Sequence, residues 1–150
     1  MKLYLMRHGQ ASSPQVDPQQ GLTNEGRAEI EKLAKRLLGL DIQFKQVFHS
    51  DKARAQQTAQ IMANHLAPNV IPQMHSGLKP NDDPQRLLSE IESWQKDTLI
   101  TSHLPFVPGL LAELTGEAGF QSQGMGFAPG TVVCLSRQNN NWLVEWIESP

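Results

Sequence analysis

The chain has 150 residues, of which 39% are hydrophobic and 19% charged, a balance typical of one soluble globular domain over residues 1–150. Its formal net charge of −2 provides no basic field of the kind that indicates nucleic-acid binding. The charge is uneven, since residues 1–75 hold nine Lys or Arg against six Asp or Glu, whereas residues 76–150 hold four against nine. This asymmetry favours an anion site built from the first half.

Cysteine content and hydropathy indicate where the protein works. Cys134 is the single cysteine, so no disulfide forms within the chain, as suits a reducing compartment. The apolar run after Met1 is too short for a secretory signal, and no apolar stretch is long enough to span a bilayer. We therefore expect a cytoplasmic monomer with neither a membrane nor a nucleic acid as partner.

The spacing of apolar residues predicts six strands and four helices. The first helix lies between a Thr23 N-cap and a Gly39 stop, with Leu38 among its core residues. The glycine-rich segment 116–130 is predicted to be a loop. The predicted strands cover 2–6, 46–48, 70–72, 98–101, 131–136 and 142–147, and the other predicted helices cover 51–66, 84–94 and 104–114.

Alternation of strands and helices defines the predicted fold class, α/β. Such alternation favours a mostly parallel sheet covered by helices on both faces, a three-layer α/β/α sandwich. Asn139 and Asn140 separate the last two strands, which is a hairpin signal. We therefore expect an antiparallel C-terminal hairpin at one edge of the sheet.

Polar residues follow three of the predicted strands at their carboxyl ends. The first group is Arg7-His8-Gly9, the second begins at Ser50 and includes Arg54, and the third is Ser102-His103. Ligand sites of open α/β sheets lie at this end of the strands, so these groups are expected to meet. Arg7-His8-Gly9 alone fits a surface turn equally well, whereas the three groups together predict a site for a dianion.

The residue types indicate phosphoryl chemistry. The planar guanidiniums of Arg7 and Arg54 suit paired hydrogen bonds to phosphate oxygens, and Arg54 is predicted in the first turn of a helix. A neutral His8 is a candidate nucleophile that would form a phosphohistidine, and a protonated His103 would stabilise the transferring group. This division of roles predicts that the two histidine pKa values are pushed apart. Gly9 would allow close backbone approach to a ligand.

These motifs resemble those of the histidine phosphatase superfamily, also called the phosphoglycerate mutase-like family. The family's R-H-G is Arg7-His8-Gly9, its S-x-x-x-R-A-x-Q-T-A segment spans residues 50–59, and its late S-H pair is Ser102-His103. Within the family the chain is most similar to the SixA-type phosphohistidine phosphatases, which carry S-H-L-P at the second histidine and L-T-x-x-G at a helix start. Here these are residues 102–105 and 22–26.

The resemblance implies an activity and roles for the site residues. His8 would be phosphorylated, Arg7, Arg54 and His103 would hold the phosphoryl group, and no metal or other cofactor would be required. The implied substrate is phosphohistidine on a histidine-containing phosphotransfer protein of a signalling system. Segment 73–97 holds only a loop and one helix, which predicts a site open to a protein side chain. Gln10 stands where SixA relatives often carry an acidic residue, so substrate details are expected to differ.

The identity of a general acid is left open by the sequence. Asp17, Asp82 and Asp83 are candidates, but loop solvation or helix capping explains each of them as well. A phosphohistidine substrate needs no such acid, because its P–N bond is labile.

Two other functions fit the same motifs. One is a small-molecule phosphomonoesterase of the same superfamily, and the other is a phosphate-dependent binding module without turnover. The presence of two histidines argues against the binding module, because arginines suffice for binding alone.

Several conspicuous residues are assigned structural roles. His49, His65 and His75 show no metal-ligand spacing, so we expect no metal site. Cys134 and the tryptophans Trp94, Trp142 and Trp146 are expected to pack, and Ser50 is expected to cap the helix that bears Arg54.

Overall fold

The computed structural model describes residues 1–116 and 127–150, which form a six-stranded sheet and four helices. The strands are β1 (Lys2–Arg7), β2 (Gln46–His49), β3 (Gln73–Met74), β4 (Thr98–Ser102), β5 (Val132–Gln138) and β6 (Asn141–Glu148). The helices are α1 (Asn24–Leu38), α2 (Ala53–Leu66), α3 (Gln85–Ser93) and α4 (Phe106–Thr115).

The sheet has the order β3-β2-β4-β1-β5-β6. Strands β3, β2, β4 and β1 are parallel, whereas β5 pairs antiparallel with β1 and β6 antiparallel with β5. Asn139 and Asn140 turn the chain between β5 and β6 with φ of 52° and 68°, the left-handed conformation that a tight hairpin requires. The predicted mostly parallel sheet with a C-terminal antiparallel edge hairpin is confirmed.

Alternate residues of each central strand face opposite helical layers. On β1, Tyr4 and Met6 pack in the cluster formed with α1 and α2, whereas Leu3 and Leu5 pack in the cluster formed with α3 and α4. Residues two apart on a strand face the same side, so β1 is apolar throughout because both faces are covered. The predicted three-layer α/β/α sandwich is therefore confirmed.

Helix α1 follows its predicted bounds but differs in two details. The hydroxyl of Thr23 accepts a hydrogen bond from the Gly26 N–H at 2.9 Å, as expected of the N-cap. Leu38 is 43% exposed, because the buried stripe ends with Leu37 and the next position points away from it. Gly39 has a right-handed φ of −62° rather than the left-handed conformation typical of a glycine stop.

Two other predicted elements are displaced along the chain. The third strand is β3 at residues 73–74 and not 70–72, because Pro72 lacks the N–H that a ladder requires, and Ile71 is 81% exposed. Helix α4 begins at Phe106 rather than Leu104, which places Pro108 in its first turn, where no helical hydrogen bond is lost and no distortion follows. Residues 117–126 of the predicted loop lie outside the described residues.

None of the helices in residues 1–116 and 127–150 is both long and apolar enough to cross a lipid bilayer.

Candidate active site

Strands β1 and β4 bring the two motif histidines together. Arg7 pairs with Ser102 in the parallel register, and the His8 N–H donates to the Ser102 carbonyl at 3.0 Å. The residues that follow this pair, His8 and His103, therefore place their imidazoles at the same edge of the sheet. The His8 and His103 ring centroids are 5.1 Å apart.

The hydrogen bond of the His8 ring defines its tautomer. Nδ1 of His8 lies 2.7 Å from the Gly9 carbonyl oxygen, which only accepts, so Nδ1 carries the proton. In the neutral ring Nε2 then keeps its lone pair. A Cβ at position 9 would lie 2.9 Å from Cγ1 of Ile30, so packing against α1 requires glycine here, a reason that the sequence prediction did not include.

A buried threonine joins the second motif to the first. The Thr58 hydroxyl accepts a hydrogen bond from the Gly9 N–H at 3.0 Å and donates to the Arg54 carbonyl at 2.8 Å. Thr58 is fully buried, so water does not compete for these bonds. Arg54 is the second residue of α2, within the first turn as predicted. The strand end that bears His8 and the helix start that bears Arg54 are therefore held at a fixed separation.

Ser50 is a site residue whose contact the sequence analysis missed. Its hydroxyl lies 2.6 Å from Nε2 of His103, and both residues are buried. The Lys52 N–H also donates to this hydroxyl at 3.3 Å, but Lys52 itself is the N-cap of α2, so the predicted capping role of Ser50 is wrong. Ser50 lies directly after β2. Location at the carboxyl end of a strand was the criterion that selected Arg7 and His103, so the same criterion could have selected Ser50.

Two buried side-chain nitrogens of the site lack a hydrogen-bond partner in the protein. They are Nε of Arg7 and Nδ1 of His103, and no other buried side-chain nitrogen or oxygen of residues 1–116 and 127–150 shares this property. Arg7 is anchored through Nη1, which donates to the Phe127 carbonyl at 2.6 Å. Unpaired buried polar atoms are rare in folded proteins.

The pKa values of both histidines are lowered. Burial lowers the pKa of His8 to about 4, assisted by the Arg54 and Arg7 cations and opposed by the bond to Gly9. Burial also lowers the pKa of His103 to about 3, assisted by His8, Arg54 and Lys52. The prediction that the two pKa values are pushed apart is wrong for this arrangement, because burial lowers the pKa of both rings and the Arg54 cation lies near both.

The three candidate acids are occupied by backbone groups. Asp17 accepts hydrogen bonds from the N–H groups of residues 19 and 21, Asp82 from Lys79, and Asp83 from Gln85 at the start of α3. Within the described part of the chain, no hydrogen bond joins any of these carboxylates to His8, Arg54 or His103. Loop and capping roles therefore account for all three.

The remaining histidines have partners away from the paired imidazoles. His49 contacts the Ser50 carbonyl at 2.8 Å, His65 pairs with Glu31, and His75 pairs with Glu90 at 2.8 Å. No group of three or more His, Cys, Asp or Glu able to hold a metal occurs among the described residues.

Other residues that the sequence singled out lie in structural positions. Cys134, Trp94 and Trp142 are buried, and Trp146 is partly buried beside Tyr4. Gln10 accepts a hydrogen bond from the Thr23 hydroxyl at 2.7 Å, which ties its side chain to the start of α1.

Arg54 borders an open cleft. The cleft has a volume of about 470 Å³, and its lining includes residues 18–20, Asp51, Lys52 and Arg54. Between β3 and β4 the chain forms one helix, α3, in addition to loops, as the short segment 73–97 predicted.

Fold and motif residues together define a three-layer α/β protein with a cluster of histidine and arginine residues at the carboxyl edge of its sheet. The model of the histidine phosphatase superfamily, branch 1, matches residues 3–79, and the chain belongs to this superfamily. Two curated relatives each match the chain at 34% identity. The first match covers 99 residues and 59% of that relative's length, and the second covers 93 residues and 32% of that relative's length. The second is the mitochondrial serine/threonine-protein phosphatase Pgam5 of Caenorhabditis briggsae, and its match covers 62% of this chain.

Solved structures share the whole fold. The protein histidine phosphatase SixA in complex with tungstate aligns with a TM-score of 0.85 and 26% identity, covering 100% of this chain and 97% of that one. The phosphoserine phosphatase of Entamoeba histolytica in complex with 3-phosphoglyceric acid aligns with a TM-score of 0.76 and 16% identity, covering 99% and 97%. The second likeness shows the shared fold. Phosphatase chemistry is supported by the family model and by the likeness to SixA.

Proposed function

We propose that the protein is a phosphohistidine phosphatase that acts on a histidine-containing phosphotransfer protein through a phospho-His8 intermediate. The observation that carries this proposal is the bond from Nδ1 of His8 to the Gly9 carbonyl. This bond leaves Nε2 as the nucleophilic nitrogen. The centroid of the His8 ring lies 5.1 Å from that of the His103 ring. The likeness to SixA over nearly the whole of both chains supports the substrate class.

In the first step the phosphoryl group moves from one imidazole to another. Nε2 of His8 forms a bond to phosphorus as the bond from phosphorus to the substrate imidazole breaks. If the distal nitrogen of the substrate ring carries a proton, the departing imidazole leaves neutral. His8 becomes a phosphoimidazolium, with its Nδ1 proton still donated to Gly9. No general acid is required, in keeping with the occupied carboxylates of Asp17, Asp82 and Asp83.

In the second step water releases the phosphate. A water oxygen attacks phosphorus, the P–N bond to His8 breaks, and both water protons leave with the phosphate as dihydrogen phosphate. His8 returns to its neutral form with the Nδ1 proton in place. Because each step transfers the phosphoryl group between groups of low charge, neither step calls for a metal or another cofactor.

The cationic residues of the site would hold the phosphoryl group during both steps. The Phe127 carbonyl anchors the Arg7 guanidinium, and the start of α2 positions the Arg54 backbone, and both cations lie close enough to His8 to lower its pKa. Pre-oriented donors stabilise the charge that spreads over the equatorial oxygens without reorganising. Nδ1 of His103 and the Gly9 backbone would complete the binding set.

A small-molecule phosphomonoesterase is the second candidate. It is favoured by the fold shared with a phosphatase that binds 3-phosphoglyceric acid. An alcohol leaving group would need a proton, however, and among the described residues no hydrogen bond joins the three candidate acids to His8, Arg54 or His103. A binding module without turnover would not require the free Nε2 of His8.

The test compares turnover of two substrate classes by the same enzyme. We expect kcat/KM for a phosphotransfer domain phosphorylated on histidine to exceed that for every member of a sugar-phosphate and phospho-amino-acid panel. His8→Ala serves as the control and is expected to abolish both activities. A clear preference for a small phosphate ester would refute the protein substrate, and turnover that survives in His8→Ala would refute the mechanism.

A further inference from the structure

Ser50 and His103 form a buried pair that the proposed mechanism has not used. The Ser50 hydroxyl lies 2.6 Å from Nε2 of His103, and the two residues are 1% and 2% exposed. At this burial no bulk water competes for the bond, so the direction of donation decides which ring nitrogen of a neutral His103 carries the proton.

Two arrangements are chemically distinct. If Nε2 of His103 carried the proton and donated to Ser50, Nδ1 would present a bare lone pair. If the Ser50 hydroxyl donates instead, Nδ1 carries the proton and becomes a donor. Nδ1 has no hydrogen-bond partner in the protein. Beside a phosphoryl dianion a lone pair would be repelled, whereas an N–H would be paired.

The surroundings of Ser50 favour donation by its hydroxyl. The Lys52 N–H already donates to this oxygen at 3.3 Å, which occupies one lone pair and leaves the hydroxyl proton free to point at the ring. Ser50 directly follows His49, the last residue of β2, which pairs with Thr101 of β4, so its backbone continues from a fixed strand end. The hydroxyl therefore approaches the His103 ring from a rigid element.

We propose that Ser50 is a positioning residue, which holds neutral His103 in the tautomer with its proton on Nδ1 so that Nδ1 donates to the phosphoryl group. The phosphoryl group in this inference comes from the proposed function, but the tautomer of His103 does not depend on that function. It replaces the predicted protonated His103 by a neutral donor and agrees with the lowered pKa of this ring. Arg7 and Arg54 then supply the positive charge, and His103 supplies a directed hydrogen bond.

The direct test is a ¹⁵N NMR spectrum of the imidazole side chains in the intact protein near neutral pH. We expect Nδ1 of His103 to appear protonated and Nε2 to appear unprotonated. Protonated Nε2 in the wild-type protein would overturn the proposal without any variant. The measurement needs no substrate, so its outcome is independent of whether the protein proves to be a phosphohistidine phosphatase.

Variants then test whether Ser50 is the cause. Ser50→Ala is expected to shift the proton of His103 toward Nε2, and to lower the rate of phosphoenzyme formation by about tenfold to a hundredfold, the equivalent of one lost buried hydrogen bond. The loss is expected in kcat more than in KM. Ser50→Thr, which keeps the hydroxyl, is expected to keep the wild-type tautomer.

Ser102→Ala is the matched control. Ser102 is a neighbouring buried serine whose hydroxyl donates to the Leu78 carbonyl at 2.6 Å and not to a ring. Its loss is expected to lower the thermal midpoint while leaving the His103 tautomer unchanged. An unchanged tautomer in Ser50→Ala, or the same tautomer shift in Ser102→Ala, would contradict the assigned role of Ser50.

Discussion

At the scale of single residues, the site depends on which atoms are already engaged. Nδ1 of His8 is bound to the Gly9 carbonyl, Nη1 of Arg7 to the Phe127 carbonyl, and Nε2 of His103 to Ser50. What remains free is one nitrogen lone pair on His8 and donors on Arg7 and His103. This division between engaged and free atoms matches a nucleophile surrounded by donors to an anion.

Arg54→Lys tests whether the guanidinium fork itself is required. Lysine keeps a positive charge but presents a point charge in place of the planar fork, so it loses paired bonding to phosphate oxygens. We expect kcat/KM to fall by about tenfold or more, since roughly one charged hydrogen bond is lost. Arg27→Lys, at an exposed position of α1, is the control and should leave kcat/KM unchanged. Near wild-type activity of Arg54→Lys would contradict the assigned role.

The sequence predicted which charged residues gather at the candidate site, but not their protonation or the groups that hold them. His8, His103, Arg7 and Arg54 could be found because each follows a strand end or begins a helix, and chain order alone gives that information. The joint lowering of the two histidine pKa values depends on three-dimensional burial, and the contact between Ser50 and His103 depends on the packing of β2 beside β4. Neither property can be predicted from the local sequence.

At the scale of elements, the start of α1 supports the loop that follows His8. Gly26 lies in the first turn of α1 so close to the preceding loop that a Cβ there would lie 2.3 Å from the Gln10 carbonyl oxygen. The same carbonyl accepts a hydrogen bond from the Thr23 N–H at 3.0 Å. The helix start and the segment after the nucleophile are thus packed backbone against backbone.

Gly26→Ala is expected to destabilise the protein, although alanine is ordinarily the better helix former. Alanine gains about 1 kcal/mol in helix propensity over glycine, whereas an overpacked contact with a backbone atom costs about 1–3 kcal/mol. We expect the cost of the contact to exceed the gain in propensity here. Urea unfolding measures the change in free energy. The control is Gly39→Ala at the other end of α1, where a Cβ would lie 3.3 Å from the Arg36 carbonyl oxygen. Equal effects of the two substitutions would refute the close contact.

Element positions were predicted well where hydrophobic periodicity was long and poorly where it was short. Helix α1 and strands β1 and β4 have buried patterns that local sequence reveals directly. Strand β3 has two residues, both exposed, so its position is determined by pairing with Phe48 and His49 and not by its own sequence. The first residue of α4 depends in the same way on the turn after His103.

At the scale of the whole molecule, buried hydroxyls connect the parts of the site across the sheet. Thr58 links Gly9 to Arg54, Thr101 donates to the Ala55 carbonyl at 2.9 Å, and Ser102 donates to Leu78 at 2.6 Å. Except for the bond from Thr58 to Arg54, which lies within α2, these bonds join segments that are distant in sequence. The geometry of the site is therefore tied to global folding and not to any one loop.

The stability of the whole molecule is expected to fall in mild acid because of the same histidines. Their folded pKa values of about 4 and about 3 lie below the value of about 6.5 for an unfolded chain. Between these values the unfolded state binds more protons, so stability decreases as the pH falls below about 6.5 and continues to decrease toward about pH 3. Urea unfolding at about pH 7 and about pH 5 measures the loss.

The variant His103→Asn separates this effect from general acid sensitivity. Removing one of the two titrating rings should reduce the loss of stability between the two pH values. A loss as large as that of the wild-type protein, or a wild-type protein that gains stability in acid, would contradict the lowered pKa values.

The central claim is that Nε2 of His8 takes the phosphoryl group, and rapid quenching with radiolabelled phosphohistidine substrate tests it most directly. We expect an acid-labile, alkali-stable label on the wild-type protein and on a His65→Gln control, whose histidine pairs with Glu31 between α1 and α2. We expect no label on His8→Ala. A wild-type protein that turns over substrate without a labelled intermediate, or a label that persists in His8→Ala, would contradict the account.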